Sequence, residues 1–397
     1  MSVLNLPRHI YIESGIINKL GEFVKAHKGN RVFIIMDSFL ASSPIDLDKR
    51  VEGILAKENL NISFFSDYAG EPTTDHVKAA VERLNSFNGD CVIAIGGGSA
   101  IDIAKAVSLF GKDPEIKWDE IRSRPCLNRF PLLAVPTTAG TGSEATSIMV
   151  ITETETSFKM NPSHPDLIPD AAILDPELTV SLPSHFTAYT GMDALTHAME
   201  AYVSNRATPM TDFFALEAIR IVGRALPKVY QNGSDVESRK DMILGSCYAG
   251  IAFTNASTNL VHAAGRPLGA RFHIPHGLSI ALLLPFVMKF GLESAKERYA
   301  DVSIALGEDP SLNKDELAKR SIEIIEEFNN QFRIWEDGKK FINPEQLMEA
   351  IPTLVTDALS GNGILTNRKV PKDHDIAVIF NLLAERLSVS SLNHSLQ

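Results

Sequence analysis

Four side chains of the kinds that bind divalent metal ions lie in two short stretches of this sequence. Asp193 and His197 are four residues apart in GMDALTHAMEAY, so they share one face if that stretch is a helix. His262 and His276 follow in LVHAAGRPLGARFHIPHG, on separate turns or elements that could converge. One carboxylate and three imidazoles suit Fe²⁺, Zn²⁺ or another divalent transition ion, so we predict a metal site. For the first pair alone, a structural carboxylate–imidazole hydrogen bond is the alternative.

A glycine-rich loop, IGGGSAIDIAKA (95–106), follows an apolar run and opens a helical pattern. Ser99 is the expected N-cap, and Asp102 completes a pair similar to a capping box. The loop amides and the helix dipole would favour a phosphate group, with a ligand-free glycine turn as the alternative. The motif matches neither the GxGxxG fingerprint nor the P-loop. Its three glycines are Gly96, Gly97 and Gly98.

A second loop and an acidic residue also follow apolar runs. The loop PTTAGTGSEAT (136–146) offers the hydroxyls of Thr137, Thr138 and Ser143, and a plain polar loop is the alternative interpretation. Asp37 ends the run RVFIIMD; its carboxylate could bind ribose hydroxyls and repel a 2′-phosphate, or could simply serve as a turn or N-cap residue. Loops at the ends of neighbouring strands favour a shared ligand.

The elements that must position these residues divide the chain in two. In the first part, apolar runs at 31–37, 91–98 and 130–138 alternate with helical patterns such as 75–87. Such alternation predicts an α/β domain with a parallel sheet. Helical patterns then dominate, among them 208–230, with Thr208 as N-cap and Pro209 at the first position, and 315–332. We therefore expect a nucleotide-binding α/β domain at 1–183 and an all-helical, metal-binding domain at 184–397.

Composition excludes several classes of protein. The chain has 397 residues, of which 44% are apolar and 22% charged, and its net charge is −11. An acidic balance disfavours nonspecific nucleic-acid binding. No apolar run reaches the roughly 18 residues that span a bilayer, and the N-terminus lacks a signal-peptide pattern. Three widely spaced cysteines form no CxxC pair. We expect a cytoplasmic protein that binds neither nucleic acid nor membranes.

The motifs GGGSAIDIAKA, PTTAGTGSEAT, GMDALTHAMEAY and HAAGRPLGARFHIPHG, in this order, closely resemble those of the iron-containing (group III) alcohol dehydrogenases. The resemblance covers nearly the whole chain and implies a dehydroquinate synthase-like architecture, NAD(H), Fe²⁺ (or Zn²⁺ or another divalent ion) and a homodimer or higher homo-oligomer. The implied metal ligands, which would carry catalysis, are Asp193, His197, His262 and His276. The implied cofactor site comprises Asp37, Gly96, Gly97, Gly98, Ser99, Asp102, Thr137, Thr138, Ser143 and Lys159.

One stretch departs from this family. Its members usually read NAGLGLVHAMAHPLGG where this chain reads NASTNLVHAAGRPLGA (255–270). Arg266 replaces a histidine that is a candidate proton relay, and arginine cannot serve because it stays protonated. Water, a cofactor ribose hydroxyl or His273 would then carry the proton. The usual small or apolar residues are also replaced by Ser257, Thr258 and Asn259.

The departure bears on the substrate. A guanidinium matches a carboxylate, sulfonate or phosphonate, and Thr258, Asn259 and Phe253 complete the expected substrate site around Arg266. We expect a short aldehyde with an anionic tail, such as sulfoacetaldehyde (reduced to isethionate) or phosphonoacetaldehyde. If Arg266 pairs with a protein carboxylate instead, the substrate is an uncharged short alcohol or a diol of the 1,3-propanediol or lactaldehyde type. A relative of glycerol dehydrogenase or dehydroquinate synthase and a catalytically inactive binding protein of this fold are further alternatives.

Asp37 generates a prediction about cofactor choice. Replacing Asp37 with Gly should narrow a preference for NADH over NADPH, because the carboxylate binds ribose hydroxyls and repels a 2′-phosphate. The measurement is kcat/KM with each cofactor for the parent and the variant. If the parent protein has the same kcat/KM with NADPH as with NADH, the role given to Asp37 is contradicted.

Overall fold

The computed structural model gives the fold of almost the entire chain. Two compact units make it up. One comprises Val3–Leu182 with Ser234–Thr254, and the other Pro183–Gly233 with Asn255–Gln397. The sequence predicts two separate domains that divide at residue 183, and this division stays a prediction. The described residues are 3–42, 45–68, 70–156 and 158–388, so the last residues of the expected second domain lie outside them.

A six-stranded sheet, parallel throughout, forms the centre of the first unit. Its strands are β1 (His9–Ile12), β2 (Arg31–Met36), β3 (Asn61–Phe65), β4 (Cys91–Gly96), β5 (Leu132–Pro136) and β8 (Ala171–Leu174). Their order is β1-β8-β5-β4-β2-β3. The unit also contains the α-helices α1 (Leu20–Ala26), α2 (Leu47–Ala56), α3 (Thr74–Phe87) and α4 (Gly98–Phe110), most of α7 (Val236–Ala256), several short 3-10 helices, and the antiparallel pair β6 (Ile151–Thr152) and β7 (Lys159–Met160).

Side chains on both faces of the sheet are buried, which explains its uninterrupted apolar runs. Phe33 and Ile35 of β2 pack in one core with α3 and α4. Val32 and Ile34, on the opposite face, pack in a second core with α1 and α2. The predicted α/β unit with a parallel sheet is confirmed.

One prediction about the glycine loop is wrong. Helix α4 begins at Gly98 with Gly97 as its N-cap, so Ser99 lies inside the first turn and does not cap the helix. Asp102 points into the unit, where its Oδ2 accepts the Val150 N–H at 2.8 Å. The helix begins two residues earlier than expected, because Gly97 rather than Ser99 takes the extended conformation of the residue before the first turn.

The second unit is built from helices, and residues 184–388 contain no strand in the described chain. As predicted, Thr208 caps the helix Pro209–Gln231 (α6), and Pro209 occupies its first position. The helices are α5 (Ser184–Val203), α6 (Pro209–Gln231), α8 (Leu260–Phe272), α9 (His276–Gly291), α10 (Lys296–Ala305), α11 (Lys314–Gln331), α12 (Ile334–Phe341), α13 (Pro344–Ser360) and α14 (Asp373–Ser388).

Among the described residues, one helical segment, His276–Ser294, is long and apolar enough by composition to cross a membrane. Of its most apolar window, 67% is buried inside the protein. Helix α9, which forms most of the segment, packs against α5, α8, α11, α12 and α14. Its apolar composition is therefore that of a central core helix.

A close approach of two glycines yields a stability prediction. A Cβ added at Gly250 on α7 would lie 2.6 Å from the Gly142 carbonyl oxygen, and this backbone atom cannot move aside as a flexible side chain could. Gly250→Ala should lower the free energy of unfolding by about 1–3 kcal/mol, measured by urea denaturation. The control is Gly53→Ala on α2, where a Cβ meets no described atom within 4 Å and should stabilise the helix by about 0.5–1 kcal/mol. Equal stability of Gly250→Ala and the parent would contradict the packing argument.

Candidate functional site

One face of α5 carries three buried ionisable side chains. Asp193, His197 and Glu200 occupy positions i, i+4 and i+7, and each is less than 7% exposed. Helix α5 packs against α6 and α9, so this face looks into the core of its unit. Buried charges are costly unless they find partners, and each of these side chains therefore needs one.

The starts of α8 and α9 bring two imidazoles to Asp193. His262 lies in the first turn of α8, and His276 is the first residue of α9. The Nε2 atom of His262 is 3.3 Å from Asp193 Oδ1, and the Nε2 atom of His276 is 3.7 Å from the same oxygen. One donor atom from each of these three residues lies within 4.8 Å of the others. Two stretches that are distant in sequence thus converge on one point.

The donor atoms at this point fit a divalent cation. Asp193 Oδ1 and His262 Nε2 are buried, and neither forms a hydrogen bond with the described residues. Burial would raise the pKa of Asp193, but the three neighbouring imidazoles outweigh it and hold that pKa well below its usual range. Burial would lower the pKa of His262, but the Glu200 and Asp193 carboxylates raise it to about 8. An ionised carboxylate among imidazole nitrogens is a donor set that Fe²⁺ and Zn²⁺ accept.

His197 lies beside this group. Its Nδ1 is 4.0 Å from Asp193 Oδ2, and its ring stacks on His262 with centroids 4.3 Å apart and planes inclined by 19°. The mutually close donors among the described residues belong to Asp193, His262 and His276. The role of His197 as a fourth ligand stays a prediction.

Glu200 is a residue of this site that sequence reasoning missed. Its Oε2 lies 2.6 Å from His262 Nδ1, and its Oε1 accepts the Val261 N–H at 2.7 Å. The signal was present, because Glu200 follows Asp193 by seven residues and so lies on the same helical face. It was overlooked because it stands outside the i, i+4 pair.

Arg266 lies on α8, four residues after His262, and is half-buried. Burial lowers its pKa, while the carboxylates of Glu200 and Asp193 act in the opposite direction. Within the described chain, no carboxylate approaches the guanidinium to ion-pair distance. The structure therefore shows no direct pairing of Arg266 with a protein carboxylate.

The other expected substrate residues occupy different environments. Asn259 donates from Nδ2 to the Glu200 carbonyl at 2.8 Å, and its buried Oδ1 has no partner among the described residues. Thr258 is buried next to it. Phe253 lies half-buried on α7, in the segment that belongs to the first unit. Their contacts with a substrate stay predictions.

In the first unit, Asp37 and the glycine loop meet at the carboxyl ends of β2 and β4. Asp37 Oδ2 accepts the Gly97 N–H at 2.8 Å, and its Oδ1 accepts the Tyr68 hydroxyl at 2.7 Å. A Cβ added at Gly96, whose φ is 157°, would lie 2.4 Å from Asp37 Oδ2. This edge of a parallel sheet is where nucleotides bind in α/β folds.

The second loop anchors to α4 through a buried polar network. Ser143 Oγ donates to Asp102 Oδ1 at 2.6 Å and accepts from Lys105 Nζ at 2.8 Å. Thr137 joins β5 to the glycine loop, because its N–H donates to the Gly96 carbonyl at 2.9 Å. Burial lowers the pKa of Lys105 to about 8, against the pull of Asp102 and Glu144. Asp102 and Ser143 are thus hydrogen-bonded to each other within this network.

Three groups of this unit remain candidates for cofactor contact. The Thr137 hydroxyl is buried and without a partner in the described residues. The Thr138 side chain lies 3.7 Å from the position of a Cβ added at Gly97. Lys159, on β7, forms an ion pair with Glu71 at 2.6 Å. The cofactor roles of all three, like those of Ser99, Asp102 and Ser143, stay predictions.

Family profiles and a related sequence match this chain and point to the same family of proteins. The iron-containing alcohol dehydrogenase profile matches residues 7–176, and the C-terminal profile of the Fe-containing alcohol dehydrogenase family matches residues 187–383. The probable alcohol dehydrogenase EutG of Escherichia coli (strain K12) is 41% identical over 302 residues, which cover 76% of each chain.

Solved structures agree with the sequence matches. A 1,3-propanediol oxidoreductase superposes with a TM-score of 0.90 at 29% identity, covering 96% of this chain and 100% of that one. A sulfoacetaldehyde reductase from Bifidobacterium kashiwanohense, in complex with NAD⁺, superposes with a TM-score of 0.84 at 25% identity and covers 97% and 99%. With both halves matched by family profiles, the chain belongs to the iron-containing alcohol dehydrogenase family of oxidoreductases.

Proposed function

We propose that the protein is a metal-dependent, NAD(H)-linked oxidoreductase that reduces a short aldehyde carrying an anionic group, such as sulfoacetaldehyde or phosphonoacetaldehyde. The observation that carries the proposal is the environment of Arg266. Its guanidinium lies one helical turn beyond His262 and has no carboxylate at ion-pair distance in the described chain. A half-buried cation of this kind is a ready partner for the anionic end of a substrate.

The metal part of the proposal rests on the donor set on α5, α8 and α9. Asp193, His262 and His276 would hold the ion, with His197 as the fourth ligand. When bound, a divalent ion supplies Lewis acidity that polarises an aldehyde oxygen. We expect Fe²⁺, since the chain belongs to the iron-containing family, with Zn²⁺ as an alternative.

The cofactor part rests on the edge of the parallel sheet. Gly97, the N-cap of α4, has no side chain of its own between a phosphate group and the amides of the first turn, and such amides favour an anion. Asp37 stands beside them with its carboxylate held by two donors. NAD(H) bound at this edge would supply the hydride chemistry of the reaction. The complex of the sulfoacetaldehyde reductase relative with NAD⁺ supports this choice of cofactor.

Residues of the chain would also bind the substrate and deliver the proton. Arg266 would bind the anionic tail through its planar fork of donors and so orient the carbonyl end towards the donor set. It cannot deliver the proton, because it stays protonated. His273 is exposed at the C-cap of α8 and remains a candidate for that step beside water and a ribose hydroxyl.

A second candidate function is oxidation of uncharged short alcohols or diols. The similarity to the 1,3-propanediol oxidoreductase favours it. In that case Arg266 would have a structural role. The Arg266 variants described below decide between the charged and the uncharged substrate. A homodimer and a cytoplasmic location also remain part of the proposal.

Removing one donor tests the metal site. His276→Ala should lose bound metal and turnover while unfolding at a similar temperature, because a half-exposed side chain at a helix start contributes little to the core. Elemental analysis and thermal unfolding measure the two effects. His374→Ala, which changes an exposed histidine on α14, should keep both metal and activity. Normal metal content in His276→Ala would refute the proposed site.

Removing the guanidinium tests the substrate. Arg266→Ala should raise KM for sulfoacetaldehyde far more than for propionaldehyde, since losing one partner of a desolvated charge pair costs about 2–5 kcal/mol. That is roughly a 30- to 3,000-fold loss of binding. Arg266→Lys should recover part of it, because an ammonium keeps the charge without the fork.

Arg271→Ala provides the matched control for this experiment. Arg271 is an exposed arginine in the last turn of the same helix. Its removal should change neither the KM for sulfoacetaldehyde nor the KM for propionaldehyde. Equal losses for the charged and the neutral aldehyde in Arg266→Ala would overturn the anionic substrate and leave the dehydrogenase assignment intact.

A further inference from the structure

Glu200 is a buried carboxylate to which the mechanism above gives no role. It is 3% exposed and lies on α5, seven residues after Asp193. Its side chain contacts two groups at the start of α8: the imidazole of His262 at 2.6 Å and the N–H of Val261 at 2.7 Å. Its own backbone carbonyl accepts Asn259 Nδ2 at 2.8 Å. Three bonds therefore tie one residue of α5 to the beginning of α8.

These contacts determine which nitrogen of His262 is available. The carboxylate of Glu200 lies at Nδ1, so Nδ1 carries the proton and donates it. The opposite nitrogen, Nε2, then has its lone pair free when the ring is neutral. Nε2 is the atom that lies 3.3 Å from Asp193 Oδ1, at the converging donors. The ring is thus oriented with Nε2, the nitrogen that can bind an ion once the ring is neutral, at the proposed ion position.

The second contact fixes the orientation of the ring. The Val261 N–H belongs to the first turn of α8, where backbone amides have no partner within the helix. By accepting it, Glu200 Oε1 anchors the carboxylate to the backbone next to His262, so the two oxygens cannot rotate away independently. A carboxylate at a helix N-terminus is also favoured by the helix dipole.

We propose that Glu200 is a positioning residue of the metal site: it holds His262 so that Nε2 faces the ion, and metal affinity depends on it although it is not a ligand. This inference rests on the proposed function, because it assumes that Asp193, His262 and His276 bind the ion. Hydrogen-bond partners on the far nitrogen of a ligating histidine typically change metal affinity by about 10- to 100-fold.

The test uses Co²⁺ alone as the probe, without substrate or nucleotide. Binding to the metal-free protein is measured by competition with a chromophoric chelator and by the visible spectrum of the bound ion. Glu200→Gln keeps the shape but offers one acceptor oxygen to two donors. It should weaken Co²⁺ binding by about 10- to 100-fold and alter the visible spectrum.

A matched control separates the loss of the positioning role of Glu200 from the general effect of removing a buried carboxylate. Asp337 on α12 is also buried and accepts the Tyr189 hydroxyl at 2.7 Å, but it does not contact the donor set. Asp337→Asn should lower the unfolding temperature and leave Co²⁺ affinity unchanged. Glu200→Asp is the second variant in case the amide does not fold; its shorter carboxylate cannot reach both donors, so its affinity should lie between those of the parent and Glu200→Gln.

His262→Ala separates the two possible failures. If the parent binds no Co²⁺, or if His262→Ala binds it as well as the parent, the proposed metal site is wrong. If His262→Ala loses Co²⁺ while a folded Glu200→Gln or Glu200→Asp binds it as tightly as the parent with the same spectrum, the role of Glu200 alone is overturned. A loss of affinity in Asp337→Asn equal to that in Glu200→Gln would also overturn it.

Discussion

The buried carboxylate of Asp193 is the constraint on which the helical unit depends. A charge removed from water is strongly unfavourable unless other charges or hydrogen-bond donors surround it. Here the compensation comes from imidazoles of three helices, and the pKa of Asp193 stays below its usual range as a result. The meeting of the three helices at this point therefore compensates the buried charge, and the same contacts bring together the donor atoms of the candidate metal site.

The meeting point requires unusually close packing of backbone. A Cβ added at Gly277 would lie 2.2 Å from the Tyr189 carbonyl oxygen, so only glycine allows the first turn of α9 to lie directly on α5. That approach brings His276, the preceding residue, to Asp193. On the other side, Glu200 draws the start of α8 onto α5 by two hydrogen bonds. Both contacts place a histidine at the beginning of a helix, where the backbone direction is well defined.

In the first unit, which contains residues 3–182, the corresponding constraint is the parallel sheet. Parallel strands place their carboxyl ends at one edge, and so Asp37 after β2, the glycines after β4 and Thr137 after β5 become neighbours. The loop after β5 is held to α4 by Lys105, whose buried ammonium donates to Ser143, Thr146 and the Ile148 carbonyl. Hydrogen bonds within the unit thus hold both Asp37 and the loop after β5 in place.

The sequence by itself determined the class of the fold, because apolar runs buried on both faces and long helical patterns are local signals. Residue type, spacing and resemblance also singled out Asp193, His197, His262 and His276, and the structure brings donor atoms of Asp193, His262 and His276 within 4.8 Å of one another. The sequence did not predict the cap of α4, and it missed Glu200, whose role depends on a partner 62 residues away. Only the tertiary structure decided the cap of α4 and the partners of Glu200, because spatial neighbours follow from packing that no local pattern encodes. For the same reason only the structure could show that, among the described residues, no carboxylate lies at ion-pair distance from Arg266.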